Sequence, residues 1–131
     1  MSEQSEALKE RTMVFAISVL ELINKLPETV SAKVIAYQLA KCSTSVGANY
    51  RAVCNARSRA EFIAKLGTVV EEAEESVYWL EIITRVNLLP GPHVPAALQE
   101  SIELRAIFSR SAGTARANAR TRRQIPPSMP K

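Results

Sequence analysis

The sequence contains no aspartate, so all 13 acidic residues are glutamates. Phosphoryl-transfer sites and Ser-His-Asp hydrolases both depend on aspartate. Histidine occurs once, at His93, beside three prolines, whereas a dinuclear metal site in a helix bundle needs Glu-x-x-His motifs on two helices. The phosphate-binding loop, the dinucleotide fingerprint and the nucleophile elbow are also absent. These absences argue against an enzyme, a metal site and a bound cofactor.

Glycine, aromatic residues and cysteine are scarce. Four glycines and 5% aromatic residues disfavour an all-β fold, which needs glycine turns and aromatic or β-branched strands. Cys42 and Cys54 are separated by about 18 Å if they share one helix, which is too far for a disulfide between them. We interpret them as small core residues of a protein in the reducing cytoplasm. A reactive thiol is the alternative.

Long apolar runs are missing as well. No stretch of about 18 apolar residues is present, so the sequence predicts no membrane span. The first 30 residues contain Glu3, Glu6 and Glu10 in place of a basic segment followed by an apolar one, which predicts no signal peptide. The expected location is the cytoplasm.

The apolar residues that are present recur every three or four positions, which is the period of an amphipathic helix. Four segments show this pattern, at residues 5–26, 31–54, 58–89 and 93–118. Short connections join them, as in an antiparallel up-and-down four-helix bundle. The sequence therefore predicts an all-α fold over residues 1–120, followed by a basic and disordered tail at 121–131.

The second helix carries a heptad-like inner seam that Asn49 interrupts. A buried asparagine needs a hydrogen-bond partner and often fixes helix register, so we expect Asn49 to act in assembly. Gly47 lies beside the seam and indicates a close helix approach. Ser58 and Glu61 match a capping box at the start of the third helix.

The other helices have more apolar positions than one seam requires. Met13, Ile17 and Leu20 form a second stripe on the first helix, and Trp79 widens the surface of the third. Such a surplus predicts a partner surface. The predicted inner positions include Phe62 on the third helix and the fourth-helix residues Val94, Leu98, Ile102 and Phe108, with Leu104 and Ile107 alongside.

Charge is distributed unevenly along the chain. Residues 29–60 hold five basic and no acidic groups, and residues 61–84 hold six acidic groups and one basic group. Glu71 and Glu75 are four apart on one helix face and repel each other. They form either a solvated face or one paired with basic groups of neighbouring helices or another subunit. The candidate partners are Lys41, Arg51, Arg110 and Arg116.

Residues 104–131 hold seven basic and no acidic groups. Unpaired arginines attract phosphate backbones through charge and counterion release. We therefore expect a nucleic-acid surface made of two groups of arginines, one at the turn before the third helix and one near the end of the chain. Its members are Arg51, Arg57, Arg59, Arg116, Arg120, Arg122 and Arg123. The alternative is a tail that only increases solubility.

Three segments carry a resemblance to a known family: residues 45–51 (SVGANYR), 56–66 (ARSRAEFIAKL) and 71–81 (EEAEESVYWLE). Together with residues 106–108 and 114–116, they resemble the four helix bundle protein family, which includes proteins encoded by intervening sequences of 23S rRNA genes. Many members have a glutamate shortly after the asparagine that corresponds to Asn49, whereas Ala52 stands there in this chain.

The resemblance implies a compact antiparallel bundle that assembles into a homopentameric ring. More distant relatives are accessory proteins of diversity-generating retroelements, which bind nucleic acid and a reverse transcriptase. Two hypotheses follow for this chain. The first is a homo-oligomeric bundle without enzymatic activity that binds RNA or DNA with little sequence preference. The second is a structural adaptor whose ring binds a protein partner, such as a reverse transcriptase, without nucleic acid.

Overall fold

The computed structural model describes residues 2–124, and this part of the chain is folded into four α-helices. They are α1 (Glu3–Ile23), α2 (Val30–Cys54), α3 (Arg59–Val86) and α4 (His93–Gln124). Each helix packs against its neighbours in sequence, and α4 returns to contact α1 over a shorter length. Short connections make successive helices antiparallel. The prediction of an all-α, up-and-down four-helix bundle is confirmed.

The first three helices each have a residue with a hydroxyl side chain at the N-cap position. Ser2, Thr29 and Ser58 each accept a hydrogen bond from the backbone N–H three residues further on. These bonds satisfy donors that the start of a helix leaves without a partner. At Ser58, the distance from its Oγ to the backbone nitrogen of Glu61 is 3.0 Å. The sequence signal at Ser58 therefore marks the actual start of α3.

Two helices end earlier than the prolines suggested. The backbone N–H of Asn24 donates to the carbonyls of Leu20 and Leu22, which tightens the chain into a turn after Ile23. Helix α3 stops at Val86 because Asn87 adopts the left-handed conformation, with φ of 52°. Asparagine tolerates this conformation better than most residues and commonly ends helices.

Helix α4 continues beyond its predicted end. It runs to Gln124, so the prediction of disorder was wrong for residues 121–124, while residues 125–131 lie outside the described part of the chain. Alanine and arginine, which dominate this segment, are strong helix formers. Buried Ala112 and Ala115 also attach the segment to the rest of the bundle. The terminal arginines are therefore carried by a helix.

The core runs along the bundle axis, and several residues that were predicted to face it lie elsewhere. Tyr50 is buried in the place predicted for Asn49, which is only half-buried and donates to the backbone carbonyl of Ser45 in its own helix. Asn49 thus has a hydrogen-bond partner within its own helix. The seam follows the true helical period, which drifts from a strict heptad.

Small residues form part of the core on α4. Ala97, Ser101 and Leu104 are buried there, whereas the predicted Leu98 and Ile102 are half-buried at the margin. Small side chains let helix backbones approach each other, so the centre of the seam on α4 contains small residues as well as large ones. The predicted inner residues Val94 and Phe108 are buried as expected.

Arg11 links α1 to α4 through hydrogen bonds to two glutamates. Its Nε and Nη2 donate to both carboxylate oxygens of Glu100 at 2.7 and 2.8 Å, and Nη2 also donates to Glu103 at 2.9 Å. Hydrogen bonds from Gln99 and Arg11 lower the pKa of Glu103. A lowered carboxyl pKa stabilises the fold above the unfolded value of about 4.3, and this contribution is lost as the pH falls. The sequence analysis did not identify Arg11.

Gly47 lies where α2 passes close to α1. A methyl group built on Gly47 would lie 2.9 Å from Thr12 Oγ1 and 3.2 Å from Thr12 Cβ, and Thr12 is buried. The predicted close helix approach at Gly47 is confirmed.

Replacing Gly47 with alanine is expected to lower the free energy of unfolding by about 1 kcal/mol, because overpacking outweighs the gain of about 1 kcal/mol in helix propensity. Gly67 is the matched control, since it is also inside a helix but has open space around a built methyl group. Gly67→Ala should raise stability by about 0.5–1 kcal/mol. Urea unfolding at one protein concentration measures both. Equal shifts in the two variants would contradict the contact.

Candidate nucleic-acid interface

The α2–α3 corner presents arginines on both sides of Ser58. Arg57 lies in the turn and Arg59 is the first residue of α3, and both side chains are exposed. The cap at Ser58 fixes where α3 starts and therefore where these two side chains project. Arg51 is also exposed, but it lines an apolar groove between α1 and α2.

The last turns of α4 carry the other predicted arginines. All four side chains are exposed: Arg116, Arg120, Arg122 and Arg123. Arg116, Arg120 and Arg123 follow a four-three spacing, which places them on one face of the helix. Because the segment is helical, these charges keep a fixed direction relative to the bundle.

An ion pair marks the register between α3 and α4. Arg105 Nη1 lies 3.0 Å from a carboxylate oxygen of Glu74. Arg59 is fifteen residues before Glu74, and Arg120 is fifteen residues after Arg105. Since the two helices are antiparallel and rise equally per residue, Arg59 and Arg120 lie at about the same level. The fold therefore brings the corner and the end of α4 to one end of the bundle.

Helix α4 extends past the beginning of α1, whose first half is acidic. Arg11 contacts Glu103, Glu3 is eight residues before Arg11, and Ser111 is eight residues after Glu103. Glu3 is therefore level with Ser111. Arg120 lies about 13 Å further along the axis by helical rise. That distance exceeds the Debye length of about 8 Å at physiological salt, so the glutamates of α1 neutralise little of the charge at Arg120.

The arginines of this end have no acidic partner within the described part of the chain. Across residues 2–124, the ion pairs use Lys9, Arg11 and Arg105 as their cations. None uses an arginine of the corner or of the last α4 turns. We call six of these residues the basic end: Arg57, Arg59, Arg116, Arg120, Arg122 and Arg123. It combines exposure, fixed placement and positive charge without an ion-pair partner among residues 2–124.

The acidic run of α3 lies apart from the basic end. Glu71 and Glu75 are exposed on the surface, and Arg105 pairs with Glu74, a contact that the sequence analysis did not anticipate. Glu72 is partly buried, and loss of water contact raises the pKa of its carboxyl. The predicted assembly residues Glu71 and Glu75 are thus free to meet groups outside the subunit.

Trp79 lies half-buried beside the core, on the same helix as the acidic run. Its ring meets Tyr78 edge-on with centroids 5.1 Å apart. The indole N–H is buried without a hydrogen-bond partner among residues 2–124. Trp79 therefore supports the packing of α3 beneath the more exposed Tyr78.

A cleft at the same end of the bundle was not foreseen from the sequence. It has a volume of about 450 Å³ and is lined by residues of all four helices. Tyr50, Phe62 and Phe108 contribute aromatic side chains to it. Phe62 was predicted in the inner seam, but 38% of its surface is exposed because it stands at this cleft. The signal in the sequence was three well-separated aromatic residues, which only the fold brings together.

Reactive groups are few in the described part of the chain. Both cysteines are free thiols, as predicted, with Cys42 buried and Cys54 partly buried. His93 is the first residue of α4 and is exposed. Across residues 2–124, no three His, Cys or Glu side chains are grouped in a way that could hold a metal ion. No helix in this range has the length and apolar character that crossing a membrane requires.

Comparison with known proteins extends these observations. No curated protein matches the chain. Among solved structures, the chain is similar to a crystal structure from Bacteroides thetaiotaomicron, described as a protein of unknown function from the S23 ribosomal protein family. The two share 28% sequence identity and a TM-score of 0.75, over 83% of this chain and 97% of the other.

The model of the 23S rRNA-intervening sequence protein family matches residues 5–110. The match includes the α2–α3 corner and ends before the arginines of the last α4 turns. It covers all of α2 and α3, most of α1 and more than half of α4. The chain therefore belongs to the family of 23S rRNA-intervening sequence proteins.

Proposed function

We propose that this protein is a homo-oligomeric four-helix bundle without enzymatic activity that binds RNA or DNA through its basic end. The observation that carries the proposal is the gathering of six exposed arginines, from two distant parts of the sequence, at one end of the bundle. Guanidinium groups bind phosphate oxygens in a bidentate manner. Phosphate contacts carry no sequence information directly, so we expect little sequence preference.

The family description names 23S rRNA, and RNA is accordingly the first nucleic acid to test. Titration of the protein into a labelled RNA at increasing salt tests the proposal. The logarithm of the binding constant should fall linearly with the logarithm of the salt concentration, because bound arginines release counterions. Absence of binding at low salt, or binding that salt does not weaken, would overturn the proposal.

Assembly of several subunits is the second part of the proposal. Met13, Ile17 and Leu20 are 41–50% exposed on α1 and line a groove of about 400 Å³ between α1 and α2. Val30, Val34 and Tyr37 continue an exposed apolar stripe along α2. An exposed apolar surface of this kind marks an interaction site.

Charge complementarity suggests which surface of a second copy covers the groove. Arg51 lies at the groove, and Lys41 is exposed on the same stripe of α2. The acidic face of α3, with exposed Glu71, Glu75 and Tyr78, offers the opposite charge and an apolar ring. A contact between two different surfaces repeats from subunit to subunit and closes into a ring when the rotation permits. In this arrangement Arg51 contacts the acidic face of the neighbouring subunit. The positive electrostatic potentials of several basic ends then add.

Replacing Ile17 with glutamate should dissociate the oligomer, because it places a charge in the middle of the apolar groove. Sedimentation equilibrium should give a multiple of 14.4 kDa for the wild-type protein and 14.4 kDa for the variant. Ser18→Glu is the control, since Ser18 is exposed on the neighbouring face of α1 and should leave the oligomer intact. A wild-type mass of 14.4 kDa would contradict assembly, and equal masses for all three proteins would exclude this groove as the interface.

A further inference from the structure

The cleft at the basic end has an aromatic interior. Tyr50 and Phe108 pack with ring centroids 5.2 Å apart, and both are almost completely buried. Phe62 stands at the cleft with 38% of its surface exposed. An aromatic ring that is exposed next to a ready-made apolar recess can stack a planar ligand on its face.

The polar groups of the cleft are uncharged. Ser5, Cys54 and Ser111 line it together with the aromatic residues. Burial raises the pKa of the Tyr50 phenol, so the hydroxyl keeps its proton at neutral pH. Neutral donors and acceptors beside aromatic faces suit a neutral, planar ligand with polar edges, which describes a nucleobase.

The charged residues beside the cleft are basic on the α2–α3 side and acidic on the α1 side. Arg57 follows the lining residue Ala56, and Arg59 lies one helical turn before the lining residue Phe62. On the α1 side, Glu3 and Glu6 flank the lining residues Gln4 and Ser5. A phosphate backbone is therefore attracted to the α2–α3 side and repelled from the α1 side. A backbone on the α2–α3 side therefore lies next to the opening of the cleft.

We propose that the cleft receives one unpaired base of a single-stranded RNA or DNA whose phosphates lie along Arg57 and Arg59. The inference rests on the proposed function, since the basic end supplies the phosphate contacts. A duplex can place a base in the cleft only after the base leaves the stack, which costs a few kcal/mol. Single strands should therefore bind more tightly than duplexes of the same length.

Replacing Phe62 with alanine tests the stacking surface. The variant should bind a short oligouridylate roughly tenfold more weakly, as expected for loss of one base–aromatic stack. Its affinity for a duplex of equal length should be unchanged, because the arginines remain. Phe62→Tyr keeps the ring and should bind the single strand like the wild-type protein. Equal losses for the single strand and the duplex in Phe62→Ala would overturn the inference.

Cys54 provides a probe inside the cleft. It is partly buried there, whereas Cys42 is 0% exposed, so iodoacetamide should react with Cys54 in the folded protein. Saturating oligouridylate should slow this reaction severalfold, and a blunt duplex should not. The Cys54→Ser variant should take up no label, which assigns the reaction.

The outcomes separate the inference from the function on which it rests. Salt-dependent binding of oligouridylate with an unchanged alkylation rate at Cys54 would overturn the base site and leave phosphate binding at the basic end intact. Absence of any binding would overturn both. Protection of Cys54 by single strands together with the selective loss in Phe62→Ala supports both.

Discussion

Replacing Phe108 with alanine is expected to lower the free energy of unfolding by about 3–5 kcal/mol. Phe108 is 1% exposed, packs against the ring of Tyr50 and belongs to the main core cluster. The substitution removes most of a large side chain from a site whose neighbours come from rigid helices, so a cavity remains. A domain of this size has a total stability of only about 5–15 kcal/mol. The variant therefore loses a large fraction of it.

Phe62→Ala is the matched control, since the same side chain is removed from the same cleft but from a position with 38% exposure. Phe62→Ala should lower the free energy of unfolding by less than half as much as Phe108→Ala, because part of the removed surface is already exposed to water. Urea unfolding followed by circular dichroism, at one protein concentration, compares the two. Similar losses would mean that Phe62 belongs to the core and that the cleft is closed in solution.

Neutralising three arginines of α4 should have the largest effect on nucleic-acid binding. The triple variant R116Q/R120Q/R123Q removes charges that share one helix face and keeps residues that favour helix. If each arginine neutralises one phosphate, the slope of log K against log salt should become shallower by about three for B-form DNA. Affinity at low salt should fall by roughly 100-fold or more.

A control with the same change in net charge separates location from total charge. Lys25, Lys33 and Arg85 are exposed near the helix ends opposite the basic end. The variant K25Q/K33Q/R85Q should bind within about threefold of the wild-type protein, because charges beyond a Debye length are screened. Electrophoretic mobility shifts over a salt series measure both variants. Equal losses would show that binding follows net charge and has no defined site.

The sequence was sufficient to predict that four helices form and where α3 starts. Apolar spacing identified four helices, and Ser58 marked a start that the structure confirms. Boundaries that depended on proline were less accurate, because Asn24 and Asn87 end their helices first. Local hydrogen bonds at these residues decide the last turn, and composition does not reveal them.

Positions within the core were predicted less well for a physical reason. A heptad pattern selected Asn49 over its neighbour Tyr50, although the two differ by only 100° around the helix. On α4 the pattern favoured large residues, whereas Ala97 and Ser101 occupy buried positions. Which residue faces the axis depends on how closely the partner helix approaches, and that is a tertiary property.

The candidate site was also predicted only in part from the sequence. Charge along the sequence identified both groups of arginines, but not that Arg59 and Arg120 share a level. That relation depends on the register between α3 and α4, which the Glu74–Arg105 ion pair marks. The aromatic cleft could not be anticipated, because Tyr50, Phe62 and Phe108 lie on three different helices. Arg11 was missed because its carboxylate partners lie on α4, about ninety residues away.

Amide hydrogen exchange with and without a saturating single-stranded RNA tests most directly where nucleic acid binds. The account predicts that RNA slows exchange at the α2–α3 corner, residues 55–62, and in the last turns of α4, residues 110–124. Exchange near residues 24–30 and 87–93, at the opposite end of the bundle, should not change. Protection confined to that opposite end, or no protection despite bound RNA, would contradict the assignment of binding to the basic end.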